Sequence, residues 1–238
     1  MNPLTQEFVN NCTVDGRFRL RGLEMTRIEV FVDAAFAFSV TMLVISFDSI
    51  PESITEIVLA IKSIPAFLLS VTQLMWIWYT HNIWSKRFGL DNAVTVALST
   101  ALISVILIYI YPLRIMLEGM FFWFTAGYLP IKFEMSSLAD LATMFKFLGI
   151  GFFSLSLIFV LMHRYAASLK NELLLNQYEL YETKTIELLW IAAACTGLLV
   201  VVVAIFMPTS IIQFSGFAFM PLAVLLPWIR IRRNRSAP

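Results

Sequence analysis

RIEVFVDAAFAFSVTMLVISF, residues 27–47, is the stretch that decides the fold. It is mostly apolar and long enough to cross a bilayer, which takes about 20 residues. Its first turns nevertheless carry Arg27, Glu29 and Asp33. Ionisable groups at or near membrane depth are costly, so each is a functional candidate by default. On a helix turning about 100° per residue, Ala34, Phe38, Thr41 and Ile45 fall on one narrow stripe, with Met42 at its edge. Asp33 projects well away from that stripe. One face of the helix is suited to a symmetric axis or pore, and another offers a carboxylate to neighbouring helices.

Composition points the same way. Of 238 residues, 59% are hydrophobic and only 14% are charged, against about 25% charged in an ordinary soluble domain. The mean hydropathy is +0.81. The apolar runs are continuous and longer than the ~10-residue alternating segments of a β-barrel, so the fold class is an all-α, polytopic membrane protein. A net charge of +1 gives no reason to expect nucleic acid as a partner. Cys12 and Cys195 lie in unlike contexts and form neither a disulfide framework nor a metal-ligand spacing. Residues 1–20 lack the apolar core of a cleavable signal.

Six transmembrane helices per subunit are expected, at about 27–47, 56–81, 92–111, 139–162, 186–206 and 210–228. Pro65 is placed to kink the second helix, and Pro112 to follow the third. Residues 1–26 form an N-terminal arm with Arg17, Arg19 and Arg21 ahead of the first span. Lys86 and Arg87 follow the second span, and Arg232, Arg233 and Arg235 lie in a basic tail, 230–238. By the excess of Lys and Arg on the inner side, both termini and the 163–184 connection are cytoplasmic. The six-helix domain, 27–229, contains no internal repeat, so a symmetric pore requires several copies.

This topology sets Arg27 and Asp33 at the same depth as Trp78, His81, Asp91 and Asn92. These are polar groups able to satisfy a carboxylate and a guanidinium away from bulk water. Gly149 and Gly151 suit close helix packing. Thr125–Leu129 faintly echoes a carbonyl filter but lacks its last glycine; an aromatic connection at the interface is the simpler reading. There is no Ser/His/Asp set, metal-binding His/Glu pair or nucleotide loop, so the chain is not read as an enzyme, and no cofactor or metal is expected.

The run Arg27-Ile28-Glu29-Val30-Phe31-Val32-Asp33 resembles the R-x-x-x-F-S-D signature of the transmembrane protein 175 family, the lysosomal potassium channel and its bacterial relatives. Trp78 and His81, then Asp91-Asn92, resemble its second landmark. The resemblance implies a potassium-selective cation channel with potassium as the permeant species. It implies four subunits around a pore lined by helix 1, with large apolar residues at the constriction. Carried onto this chain, the constriction is Phe38, Met42 and Ile45, with Thr41 as the nearby hydroxyl. Arg27, Phe31, Asp33, Trp78, His81, Asp91 and Asn92 form the signature network. A one-repeat member fits a bacterial inner membrane. Val32 stands where the signature has serine, and Phe38 where isoleucine is usual. Two other readings stay open: a proton-coupled transporter with Asp33, His81 and Asp91 as relay, and a nonconducting membrane scaffold.

Overall fold

The computed structural model describes residues 4–45, 52–131, 133, 135 and 137–238. A short helix α1 (Gln6–Asn11) and a two-stranded antiparallel hairpin, β1 (Val14–Asp15) and β2 (Phe18–Arg19), precede the bundle. Helix α2 (Arg27–Ile45) follows, then α3 (Ile54–Lys62), α4 (Ile64–Phe88), α5 (Ala93–Phe124), α6 (Leu138–Ser168) and α7 (Gln177–Phe206). A 3₁₀ stretch (Thr209–Phe219) leads into α8 (Met220–Arg235). Among the described residues four helical units are long and apolar enough to cross a membrane: α5, α6, α7 and Thr209–Arg235. The α3–α4 pair, bent by 40°, makes a fifth if it is one span.

Several expected boundaries need correction. The second helix is two helices, broken at Ser63, and Pro65 sits in the first turn of α4, where its missing N–H costs nothing. Its C-terminus is Phe88 rather than residue 81, closed by Gly89 at φ +58. The third helix does not end at Pro112: α5 carries that proline inside and runs on to Phe124. Proline removes one hydrogen bond, but the next turns are held by burial of Leu113, Arg114 and Glu118. The polar connection shrinks to residues 169–176, because Asn176 and Glu179 form a reciprocal capping box that starts α7 early. The last span begins as 3₁₀, since Pro208 precedes it and Pro221 falls in the first turn of α8. The basic tail is largely helical, with α8 reaching Arg235. Of the acidic link expected at Asp48–Glu56, residues 48–51 lie outside the described residues, and the rest already turns into α3, with Ser53 as its N-cap.

The rings of Phe159 and Trp190 stack at 4.4 Å, within one buried cluster that also holds Val32, Leu43, Leu74, Leu102 and Leu155. Helices α6 and α7 run antiparallel in close contact. A Cβ on Gly149 would lie 2.9 Å from the Gly197 carbonyl, and one on Gly197 2.7 Å from Phe153 N. A Cβ on Gly151 would enter the Tyr109 ring, 2.1 Å from its nearest carbon. These glycines let backbone and ring approach where a methyl cannot fit.

The N-terminal arm is docked rather than merely charged. Phe18 is buried edge-on against Phe88, with ring centres 5.7 Å apart. Arg21 is buried too: its Nη2 pairs with Glu179 Oε2 at 2.7 Å, and its Nε donates to the Leu173 carbonyl at 2.8 Å. The Arg19 N–H donates to Glu179 Oε1 at 2.8 Å. Gly22 N–H donates to the Lys86 carbonyl at 3.0 Å, and a Cβ there would sit 2.6 Å from the Ser85 carbonyl. The segment entering α2 is thus fixed to the ends of α4 and α7. Arg21→Met leaves the Glu179 carboxylate buried without its counter-charge and should cost about 3–5 kcal/mol. Arg21→Met with Glu179→Met should recover part of that loss. Thermal unfolding in detergent is the check, and an unchanged midpoint for the single variant would show that the arm does not hold the fold.

Candidate pore-lining helix

Helix α2 has two unlike sides. Val32, Phe36, Ser39 and Leu43 face the bundle and are buried. Val30, Phe31, Ala34, Ala37, Phe38, Thr41 and Val44 are exposed and run along the opposite side as one continuous stripe. The exposed side alternates bulky groups with small ones. Ala34, Ala37 and Thr41 permit close approach of another helix, while Phe38 stands out with 54% of its surface uncovered. Thr41 donates its hydroxyl proton to the Phe38 carbonyl at 2.7 Å, so its oxygen keeps lone pairs directed off the helix. Met42 is half-buried at the edge of the stripe. The side chain of Ile45 lies outside the described residues.

Polar contacts hold α2 along its length. Near its start, the Thr26 N–H donates to Glu29 Oε2 at 2.7 Å, and the Ser85 hydroxyl of α4 donates to Glu29 Oε1. One turn on, Trp78 Nε1 of α4 donates to Asp33 Oδ1 at 2.7 Å. At the far end, Arg114 Nη1 of α5 donates to the Leu43 carbonyl. That carbonyl lies near the end of the described part of α2. Arg114 is itself paired with Glu118, one turn along α5, at 3.1 Å, with both side chains nearly inaccessible.

The expected network is therefore only partly assembled. Asp33 and Trp78 meet directly. His81 is buried and bonds Ser99 Oγ at 3.2 Å. Asn92 caps α5, its side chain accepting from the Thr95 N–H at 3.1 Å. Asp91, Arg27 and Phe31 are exposed. The described hydrogen bonds do not join Asp33, His81 and Asp91 into one chain. The Thr125–Leu129 segment is the turn that closes α5, with Ala126 and Gly127 at positive φ.

Glu29's partner and the Arg114–Glu118 pair were not expected from sequence. Arg114 and Glu118 carried a usable signal, being an i,i+4 pair of opposite charge inside an apolar run. Ser85 and Ser99 carried none, because a lone serine in an apolar helix usually bonds its own backbone.

No protein-family model matches the chain. It is similar to a protein of Marivirga tractuosa named potassium channel, with 30% identity over 229 residues covering 92% of each chain. It is also similar to the crystal structure of a threonine-to-alanine variant of the potassium channel MtTMEM175 in complex with a nanobody–MBP fusion protein. There the TM-score is 0.79 at 29% identity, covering 94% of this chain and 97% of that one. Both relatives are channels rather than enzymes.

Asp33→Ala leaves the Trp78 N–H without its acceptor, at a cost of about 1–3 kcal/mol. It should lower the yield of folded, assembled protein on size-exclusion chromatography, and Asp33→Asn should retain most of it. Normal assembly of Asp33→Ala with altered ion preference would instead give the carboxylate a role in contact with ions.

Proposed function

This chain belongs to the transmembrane protein 175 family, and on that premise we propose that it is a potassium-selective cation channel built from four copies around a pore. The observation that carries this reading is the uncovered stripe of α2. The opposite side of that helix is bound to α4 and α5 at both ends, so the stripe is free to face a symmetry axis. The proposed subunit has six spans, with α2 as the first and both termini cytoplasmic. The proposed location is a bacterial inner membrane.

In this arrangement Phe38 supplies the narrowest ring, Thr41 a ring of hydroxyl oxygens beside it, and Met42 and Ile45 the flanking apolar surface. Four phenyl rings offer no oxygen ligands, so an ion crosses them only by shedding or distorting its hydration shell. Such a constriction selects by the cost of dehydration and closes by dewetting. Arg27 and Asp91 then stand at the inner mouth, where their charge bears on ion entry. Phe31 adds to the apolar surface between subunits. Asp33, Trp78, His81 and Asn92 act as positioning residues.

A proton-coupled carrier needs a relay, and the separate hydrogen bonds of Asp33 and His81 give it little support. A nonconducting scaffold draws on one observation, the bulk of Phe38 on the exposed stripe.

The test is ion flux into liposomes holding equal amounts of assembled protein. Phe38→Ala should raise potassium flux roughly tenfold, a barrier lowered by about 1.4 kcal/mol, and should reduce discrimination against sodium. Ile45→Ala should act in the same direction but less strongly. A Phe38→Ala variant that assembles normally and leaves both fluxes unchanged would remove Phe38 from the constriction.

A further inference from the structure

Helix α8 sorts its arginines onto two sides. Arg230 and Arg233 turn inward: Arg230 Nη1 pairs with Glu182 Oε1 of α7 at 2.8 Å, and Arg233 Nε donates to Thr185 Oγ1 at 3.0 Å. The Arg233 guanidinium also lies 4.0 Å from the Tyr181 ring centre. Arg232 and Arg235 turn outward and are exposed. Among the described residues neither of these two side chains has a hydrogen bond or an ion pair. The Arg232 guanidinium lies over the Trp228 ring at 5.1 Å.

The outward arginines continue an apolar stripe. Val224, Trp228, Arg232 and Arg235 follow one another at helical spacing, and Val224 and Trp228 are 73% and 53% exposed. Over about 16 Å of helix the stripe passes from aliphatic to indole to guanidinium. That is the order of environments met on leaving a bilayer: acyl chains, the interface favoured by tryptophan, then phosphates. A helix facing other protein would not need that order, and a free tail would not keep it. Arg164 and Lys86 lie at the same end of the bundle, off this stripe.

We propose that Trp228, Arg232 and Arg235 form a binding site for the headgroup of an anionic phospholipid, with Val224 alongside its acyl chain. The two guanidinium groups meet the phosphate with paired N–H donors. The indole fixes the depth of the contact and orients Arg232. Lipid bound there clamps the outer side of α8, while Arg230 and Arg233 clamp its inner side to α7. The site is independent of the conduction mechanism, because its readout is lipid binding rather than flux.

The experiment titrates full-length protein in neutral detergent with fluorescent phosphatidylglycerol, and separately with phosphatidylcholine of the same chains. Wild type should bind phosphatidylglycerol more tightly. The Arg232→Gln/Arg235→Gln variant should lose roughly 30-fold in that affinity, and the Arg232→Lys/Arg235→Lys variant should keep most of it. Arg164→Gln, at the same end but off the stripe, should bind as wild type does. If the double glutamine variant does not fold, Arg235→Gln alone carries the test with a loss of roughly 5-fold. Equal binding of the two lipids by wild type, or undiminished phosphatidylglycerol binding by the glutamine variants, would overturn the proposal. Competition by glycerol 1-phosphate at concentrations matching the lipid would also overturn it, by showing a site for a free anion.

Discussion

A carboxylate or a guanidinium taken out of water has to be met by partners, and in an apolar bundle the partners must come from neighbouring helices. That constraint organises this molecule. Glu29 and Asp33 draw Ser85 and Trp78 of α4 against the first half of α2. Arg114 of α5 reaches the backbone at its far end, and Arg21 ties the segment before it to Glu179 of α7. Each contact falls away from the exposed stripe. The polar groups hold the helix, and beyond Arg27 at its start the face left over is apolar except for one hydroxyl.

The two departures from the resembled signature become physical statements in this setting. Val32, where the signature has serine, is completely buried among core side chains. A serine there would need an acceptor such as the carbonyl four residues earlier, which Ser39 uses at 2.8 Å. Valine removes that need and adds buried apolar surface instead. Phe38 lies on the uncovered side, so its size is free of the packing limits that govern the core and is set by whatever the stripe faces.

The helical membrane class, the charges set inside the apolar run 27–47 and the close-packing role of Gly149 and Gly151 were legible in the sequence. Each rests on a local pattern: apolar run length, charges inside such a run, or glycine at helical spacing. Helix ends were less legible. Pro112 was read as a stop because proline disfavours helix interiors, yet burial beyond it carries α5 to Phe124. That Asp33 points off the stripe towards neighbouring helices followed from periodicity, since its angle to the stripe is fixed by the helix; Trp78 of α4 is the partner found. The partners of Glu29, His81 and Leu43 did not, because Ser85, Ser99 and Arg114 are brought to them only by tertiary packing. The arginines of the arm illustrate the same limit. Charge bias alone treats Arg17, Arg19 and Arg21 alike, whereas Arg21 is buried in an ion pair and Arg17 remains at the surface beside Tyr178.

In the proposed assembly the exposed side of α2 faces a fourfold axis. That arrangement is tested most directly by spin labels at Ala34→Cys in purified protein whose two native cysteines, Cys12 and Cys195, have been replaced by serine. A fourfold arrangement gives two inter-label distances in a ratio of about 1.4, the diagonal and side of a square. The same label at Ile108, which is exposed on α5, should give the same ratio at greater lengths. Short paired distances at Ala34 with longer ones at Ile108 are the predicted result. A single distance at Ala34, or shorter distances at Ile108 than at Ala34, would place another helix or another symmetry at the centre and contradict the account.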